Sequence, residues 1–134
     1  MSESPSKPLP AYEDIPGTLV FDANRSRQGY WLNQFCMSLM KDANRVEFRA
    51  DEPRYLDKFP MTEAQRQAVL KRDWNGMLQE GGNIYFTSKI AATDGLSFQQ
   101  IAAIMSGVTQ PDYAAMMLAG GRSIEGNRSK SDKA

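Results

Sequence analysis

Glu80 to Phe98 reads EGGNIYFTSKIAATDGLSF, and the reading of this stretch decides the fold. Gly81 and Gly82 can take backbone angles closed to other residues, so the helix before them is predicted to stop there. Asn83 has the short acceptor side chain that caps a new helix, opened by Ile84, Tyr85 and Phe86. Thr93-Asp94-Gly95 ends that helix, because Asp-Gly is a strong turn dipeptide. Ser97 is placed to cap the next helix, with Phe98 on its first turn. A turn that carries an aromatic residue between two capped helices is the first candidate for function.

Working outward, Phe98 to Ser106 is predicted to be helical, Gly107 closes it, and Pro111 opens a last helix that reaches Leu118 before Gly120-Gly121. Upstream, Thr62-Glu63-Ala64-Gln65 fits a capping box. Its helix is expected to reach Asp73 and continue towards Gln79, dividing at Gly76, with Ala68, Val69, Trp74 and Met77 inward. A long helix from about Arg25 to Met40, capped by Asp22 or Asn24, buries Leu32, Phe35, Cys36, Leu39 and Met40 on one stripe that Tyr30 and Trp31 widen. Ala43 to Ala50 continues helically with Val46 inward and ends at Asp51-Glu52-Pro53. Tyr55, Leu56 and Phe59 form a short apolar turn closed by Pro60. Ile15-Pro16-Gly17-Thr18 reads as a turn, and Leu19-Val20-Phe21 as an extended piece too brief for a sheet. The fold class is all-α: a compact domain of several short helices over 14–123, between flexible arms at 1–13 and 124–134.

The totals narrow the function. A chain of 134 residues is one domain with room for a real core. Sixteen basic residues balance sixteen acidic ones, which argues against a nucleic-acid or acidic-membrane partner. No apolar run is long enough for a membrane span or a secretory segment, so the chain is expected to be cytoplasmic. The single cysteine, Cys36, falls in an apolar helical pattern and is expected to pack in the core. Histidine is absent, which removes the commonest general base and the commonest metal ligand. Carboxylate or lysine chemistry stays open, but a complete active site is not expected within this chain, and no catalytic residue and no metal ligand is assigned to it.

Several patterns have a functional and a plain reading. Gln100 to Thr109 looks like the front of a helix-turn-helix, with Gln110 to Leu118 (QPDYAAMML) as its second helix. That helix has no Arg or Lys to grip phosphate or guanine, and Asp112 would repel the backbone, so DNA binding does not follow. Met105, Met116, Met117 and Tyr113 fit core packing better than an adaptable partner surface. The acidic pairs Glu13-Asp14 and Asp51-Glu52 read as solvated surface, since adjacent side chains point apart. Arg25, Arg27 and Arg45 read as surface or interface charges. Phe98 either staples the turn onto the core or is displayed as an apolar wall for a ligand or partner.

Seven collinear segments stand out: DIPGT at 14–18, GY-LNQF-MSLMK from Gly29 to Lys41, RADE and YLD within 49–57, and AVL-RD at 68–73. The most specific are EGGN-YF-SK at 80–89, TDG-SFQ at 93–99, and MM–GGRS at 116–123. Taken together, they resemble the small α subunit of protocatechuate 4,5-dioxygenase, an extradiol aromatic-ring cleaving enzyme. The resemblance implies a division of labour that the missing histidines also require. A separate, larger β subunit holds Fe(II), and the helical subunit packs over its mouth as a lid in an α2β2 assembly. It further implies O2-dependent cleavage of a catecholic acid beside its hydroxyl pair. By the same resemblance Phe98 is the lid aromatic that contacts the substrate, with Ser97 and Leu96 beside it and Asp94 and Gly95 shaping the loop. Leu96 stands where the family pattern has a more polar residue, and a gallate-type substrate is the alternative. A stand-alone helix-turn-helix binding module is the remaining one.

Overall fold

Seven of the nine α-helices among the described residues begin at a side chain that accepts a hydrogen bond from the first helical turn, and these local signals set the chain's partition. The helices are α1 Ala23–Gln28, α2 Tyr30–Ser38, α3 Asp42–Ala50, α4 Glu52–Leu56, α5 Glu63–Leu70, α6 Trp74–Gln79, α7 Ile84–Thr93, α8 Phe98–Ser106 and α9 Gln110–Leu118. The caps are Asp22, Asp51, Thr62, Asp73, Asn83, Ser97 and Thr109, each worth about 1 kcal/mol. No strand forms among the described residues, so the domain is all-α. The computed structural model describes residues 11–15 and 18–123.

The chain divides into two units, Met1–Val20 with Ser123–Ala134, and Phe21–Arg122. In the first, Ala11–Asp14 makes a 3-10 turn across the boundary that the sequence places between the arm at 1–13 and the domain. The Thr18 N–H donates to the Ile15 carbonyl at 3.2 Å, as the expected turn requires. Its central Pro16 and Gly17, and the arm residues 1–10 and 124–134, lie outside the described residues.

The second unit holds the core. Leu32, Phe35, Cys36 and Leu39 from α2 and its end meet Phe48 of α3, Tyr55 and Leu56 of α4, Val69 of α5, Met77 of α6, Ile90 of α7 and Ile101 of α8. Phe35, Phe48, Tyr55 and Phe59 pack edge-on or tilted, with centroids 5.2 to 5.9 Å apart. Such pairs each add about 0.5–1.5 kcal/mol beyond the area they bury. The Tyr55 hydroxyl is matched by Ser38 Oγ at 2.6 Å. Cys36 is fully buried and free, and burial pushes its thiol far above the usual range.

Four sequence expectations are corrected here. The long helix over 25–40 is two helices, broken at Gly29, because the Gly29 backbone is pressed against that of Gly81 and cannot follow a straight path past it. Tyr30, Trp31 and Met40 are exposed: Tyr30 and Trp31 open α2 off the face that buries Leu32, Phe35 and Cys36, and α2 has already ended at Ser38. In α3 the inward residue is Phe48, and Val46 is 57% exposed. The helix begun at Thr62 divides at Arg72 and not at Gly76: Arg72 takes a left-handed φ of 54°, and Asp73 then caps α6 with Gly76 inside it.

Candidate functional site

The candidate loop is held at both ends of α7. At the N-terminal end, Gly81 is left-handed with φ 96°, which only glycine takes at low cost. Asn33 Nδ2 donates to the Gly81 carbonyl at 3.1 Å, and Asn33 Oδ1 accepts from the Asn83 N–H at 2.9 Å. The break at Gly29 frees the Gln28 carbonyl, which accepts from Gln65 Nε2 at 2.9 Å, while the same nitrogen donates to the Glu80 carbonyl at 3.0 Å. Gln65 thereby completes the capping box with Thr62 through Oε1 and ties two helix ends together through Nε2. Buried polar side chains of this kind hold backbone that would otherwise lack partners.

At the C-terminal end, α7 closes with two crossed backbone bonds, Leu96 N–H to the Ala91 carbonyl at 2.9 Å and Gly95 N–H to the Ala92 carbonyl at 3.1 Å. Gly95 is left-handed at φ 81°, and Leu96 packs against the core as the apolar contact such a stop prefers. Two arginines fasten this end from outside. Arg49 donates through Nε and Nη2 to the Thr93 carbonyl at 3.2 and 2.8 Å. Arg72 grips both oxygens of Asp94 at 2.7 and 3.1 Å and both oxygens of Glu52 at 2.9 and 2.8 Å. Burial works to lower the Arg72 pKa, but the hydrogen bonds and charges of Asp94 and Glu52 outweigh it and raise it, so the guanidinium stays charged.

From that anchor the chain turns directly into α8. Ser97 Oγ accepts from the Gln100 N–H at 3.1 Å and Gln100 Oε1 accepts from the Ser97 N–H at 2.6 Å. Phe98, the first residue of α8, is 63% exposed and so is not a staple onto the core. Of the five residues singled out by sequence, Asp94 and Gly95 build the turn, Leu96 faces inward, Ser97 caps α8, and Phe98 is the one large apolar side chain that is exposed. Glu52, Arg49 and Arg72, read from sequence as surface or not singled out, are the groups that hold the turn.

α8 and α9 pack together across a turn that leaves α8 through a left-handed Gly107. Its second helix has no basic residue to meet phosphate, and Met117 and Leu118 stand out of the fold, Leu118 at 90%. The methionines therefore separate: Met105 packs against the core as expected, whereas Met117 does not. A cleft of about 470 Å³ lined by Leu39, Met40, Arg45, Lys89 and Ala92 includes no residue of the candidate loop. Among the described residues no three His, Cys, Asp or Glu side chains gather to hold a metal ion. No described helix is long and apolar enough to cross a membrane.

This geometry defines an all-α domain with an exposed phenyl ring at the start of α8 and, among the described residues, no cluster of three metal-ligating side chains. The chain belongs to the LigA subunit family of LigAB aromatic-ring-opening dioxygenases, whose model matches residues 32–118. It is 27% identical over 105 residues to the gallate dioxygenase of Pseudomonas putida, covering 78% of this chain and 31% of that protein. The chain thus spans about a third of that relative's length.

Proposed function

We propose that this chain is the non-catalytic small subunit of an extradiol protocatechuate 4,5-dioxygenase, seated as a lid over the Fe(II) site of a larger subunit in an α2β2 assembly. The observation that carries the reading is Phe98: a large aromatic side chain, 63% exposed, on a turn fixed at both ends. An exposed phenyl on a rigid turn is poor solvent-facing design and good pocket-facing design. This chain's residues do not fit the iron, having no histidine in the sequence. The metal in this reading is therefore the larger subunit's, and this chain's part is to bound the substrate and exclude water. The apolar residues left exposed on α8, α9 and the turn between them, Ile104, Val108, Met117 and Leu118, support a subunit interface.

A gallate-type substrate is the second reading, and the likeness to a gallate dioxygenase favours it. The test is affinity capture of this chain from its source cells, followed by iron analysis and identification of bound proteins. A stoichiometric larger partner carrying iron supports the proposal. Capture of the chain alone, metal-free and with no partner, overturns it. Substrate class is then settled by oxygen uptake with protocatechuate against gallate.

A further inference from the structure

We propose that Arg72 is a positioning residue that sets substrate discrimination by fixing where Phe98 stands; this rests on the reading of Phe98 as a substrate wall. Arg72 is the one non-glycine residue among those described with a positive φ, at 54°. A left-handed backbone conformation at a non-glycine residue persists only where the surroundings over-determine it. The surroundings here do so. Its five N–H groups are all used: Nε on Asp94, Nη1 on Glu52 and on the Val69 carbonyl, Nη2 on Glu52 and on Asp94. The guanidinium also lies over the Phe48 ring, 5.5 Å from its centroid.

The geometry joins three segments distant in sequence. Glu52 opens α4, Arg72 lies in the α5–α6 joint, and Asp94 ends α7 immediately before Gly95. One guanidinium therefore holds two carboxylates that would repel each other without it. Asp94 is the anchor from which the backbone turns through Gly95, is gripped by Leu96 and is capped at Ser97, delivering Phe98 to the surface. Freeing Asp94 loosens this turn at its outer edge while the core below stays packed. The part of the fold that moves is the part that places the phenyl ring.

The test uses the assembled two-subunit enzyme, three single variants and one double variant. Arg72→Gly removes the guanidinium while suiting the left-handed backbone, so it is the variant most compatible with folding. Arg72→Lys keeps the charge but has too few donors to grip two carboxylates in parallel. Phe98→Ala supplies the reference. Arg72→Gly is expected to shift the ratio of kcat/KM between protocatechuate and gallate by about threefold to tenfold, in the same direction as Phe98→Ala. Arg72→Lys should restore part of that shift. In the Phe98→Ala background, adding Arg72→Gly should move the ratio by less than about twofold, since residues acting through one group are not additive. A purely structural role would lower thermal stability and both kcat/KM values together, with the ratio unchanged, and that result overturns the proposal. Phe98→Ala without effect on the ratio would overturn the wall reading and this proposal with it. An altered ratio in Phe98→Ala beside an unaltered one in Arg72→Gly would overturn the Arg72 assignment alone. If Arg72→Gly does not assemble, Asp94→Asn, which removes the charge Arg72 grips, reads the same ratio.

Discussion

The backbones of Gly29 and Gly81 meet so closely that a Cβ on Gly29 would fall 1.9 Å from the Gly81 carbonyl oxygen. Two glycines from different helix ends are thus keyed into each other, and the break between α1 and α2 exists to let them meet. Gly29→Ala is expected to lower stability by about 3 kcal/mol, at the upper end of overpacking costs, because the atom it strikes is backbone. Gly107→Ala, where an added Cβ meets nothing within 4 Å, should lose only about 1–2 kcal/mol, from its left-handed φ. Urea unfolding of the two variants checks the contrast.

Asn33 is the second half of that key. Asn33→Ala leaves the Gly81 carbonyl and the Asn83 N–H without their partner. The expected loss is about 2–4 kcal/mol, the desolvation cost of two stranded groups. Hydrogen exchange should show the opening of the first turn of α7 ahead of the rest. Uniform protection along α7 in the variant would contradict the clamp.

How much of this was legible in the sequence depends on how local each cause is. Thr62 with Gln65, Asn83, Ser97 and Gly107 act within a few residues of themselves, and each helix end they mark falls where the sequence places it. The Gly29 break was hidden because its cause lies at Gly81, and the left-handed Arg72 because its causes lie at Glu52 and Asp94. Val46 was misplaced for the same reason: α3 is oriented by Phe48 entering an aromatic cluster built from Phe35, Tyr55 and Phe59. In the candidate site, the turn at Asp94-Gly95 and the cap at Ser97 were readable, and the exposure of Phe98 was one of two open readings. The inward packing of Leu96 was not readable, since it depends on the turn's own stop geometry against the core.

Cys36 provides a pH prediction. Its thiol pKa is raised by burial, so the folded state keeps the proton that the unfolded chain releases near its ordinary value of about 8.5. The stabilisation is fully present below that value and declines as pH rises beyond it. Disulfide-exchange reagents at about pH 8 should label the native chain about a hundredfold more slowly than the urea-unfolded chain. Equal rates would show that the α2 core opens freely.

Phe98→Ala separates wall from scaffold. An exposed side chain contributes little to folding, so stability should change by less than about 0.5 kcal/mol. In the assembled enzyme the KM for the ring substrate should change by about threefold to tenfold, with iron content unaltered. A large loss of stability, or of iron, would show that the residue supports the fold or the assembly instead.

The most direct measurement of the central claim is steady-state oxygen uptake by the larger subunit, with and without this chain, on protocatechuate and gallate. Uptake at low substrate concentration is expected to depend on this chain, and the preference between the two acids is expected to change when Phe98 is replaced by alanine. Identical kcat/KM values with the chain present, absent or carrying Phe98→Ala would contradict that claim.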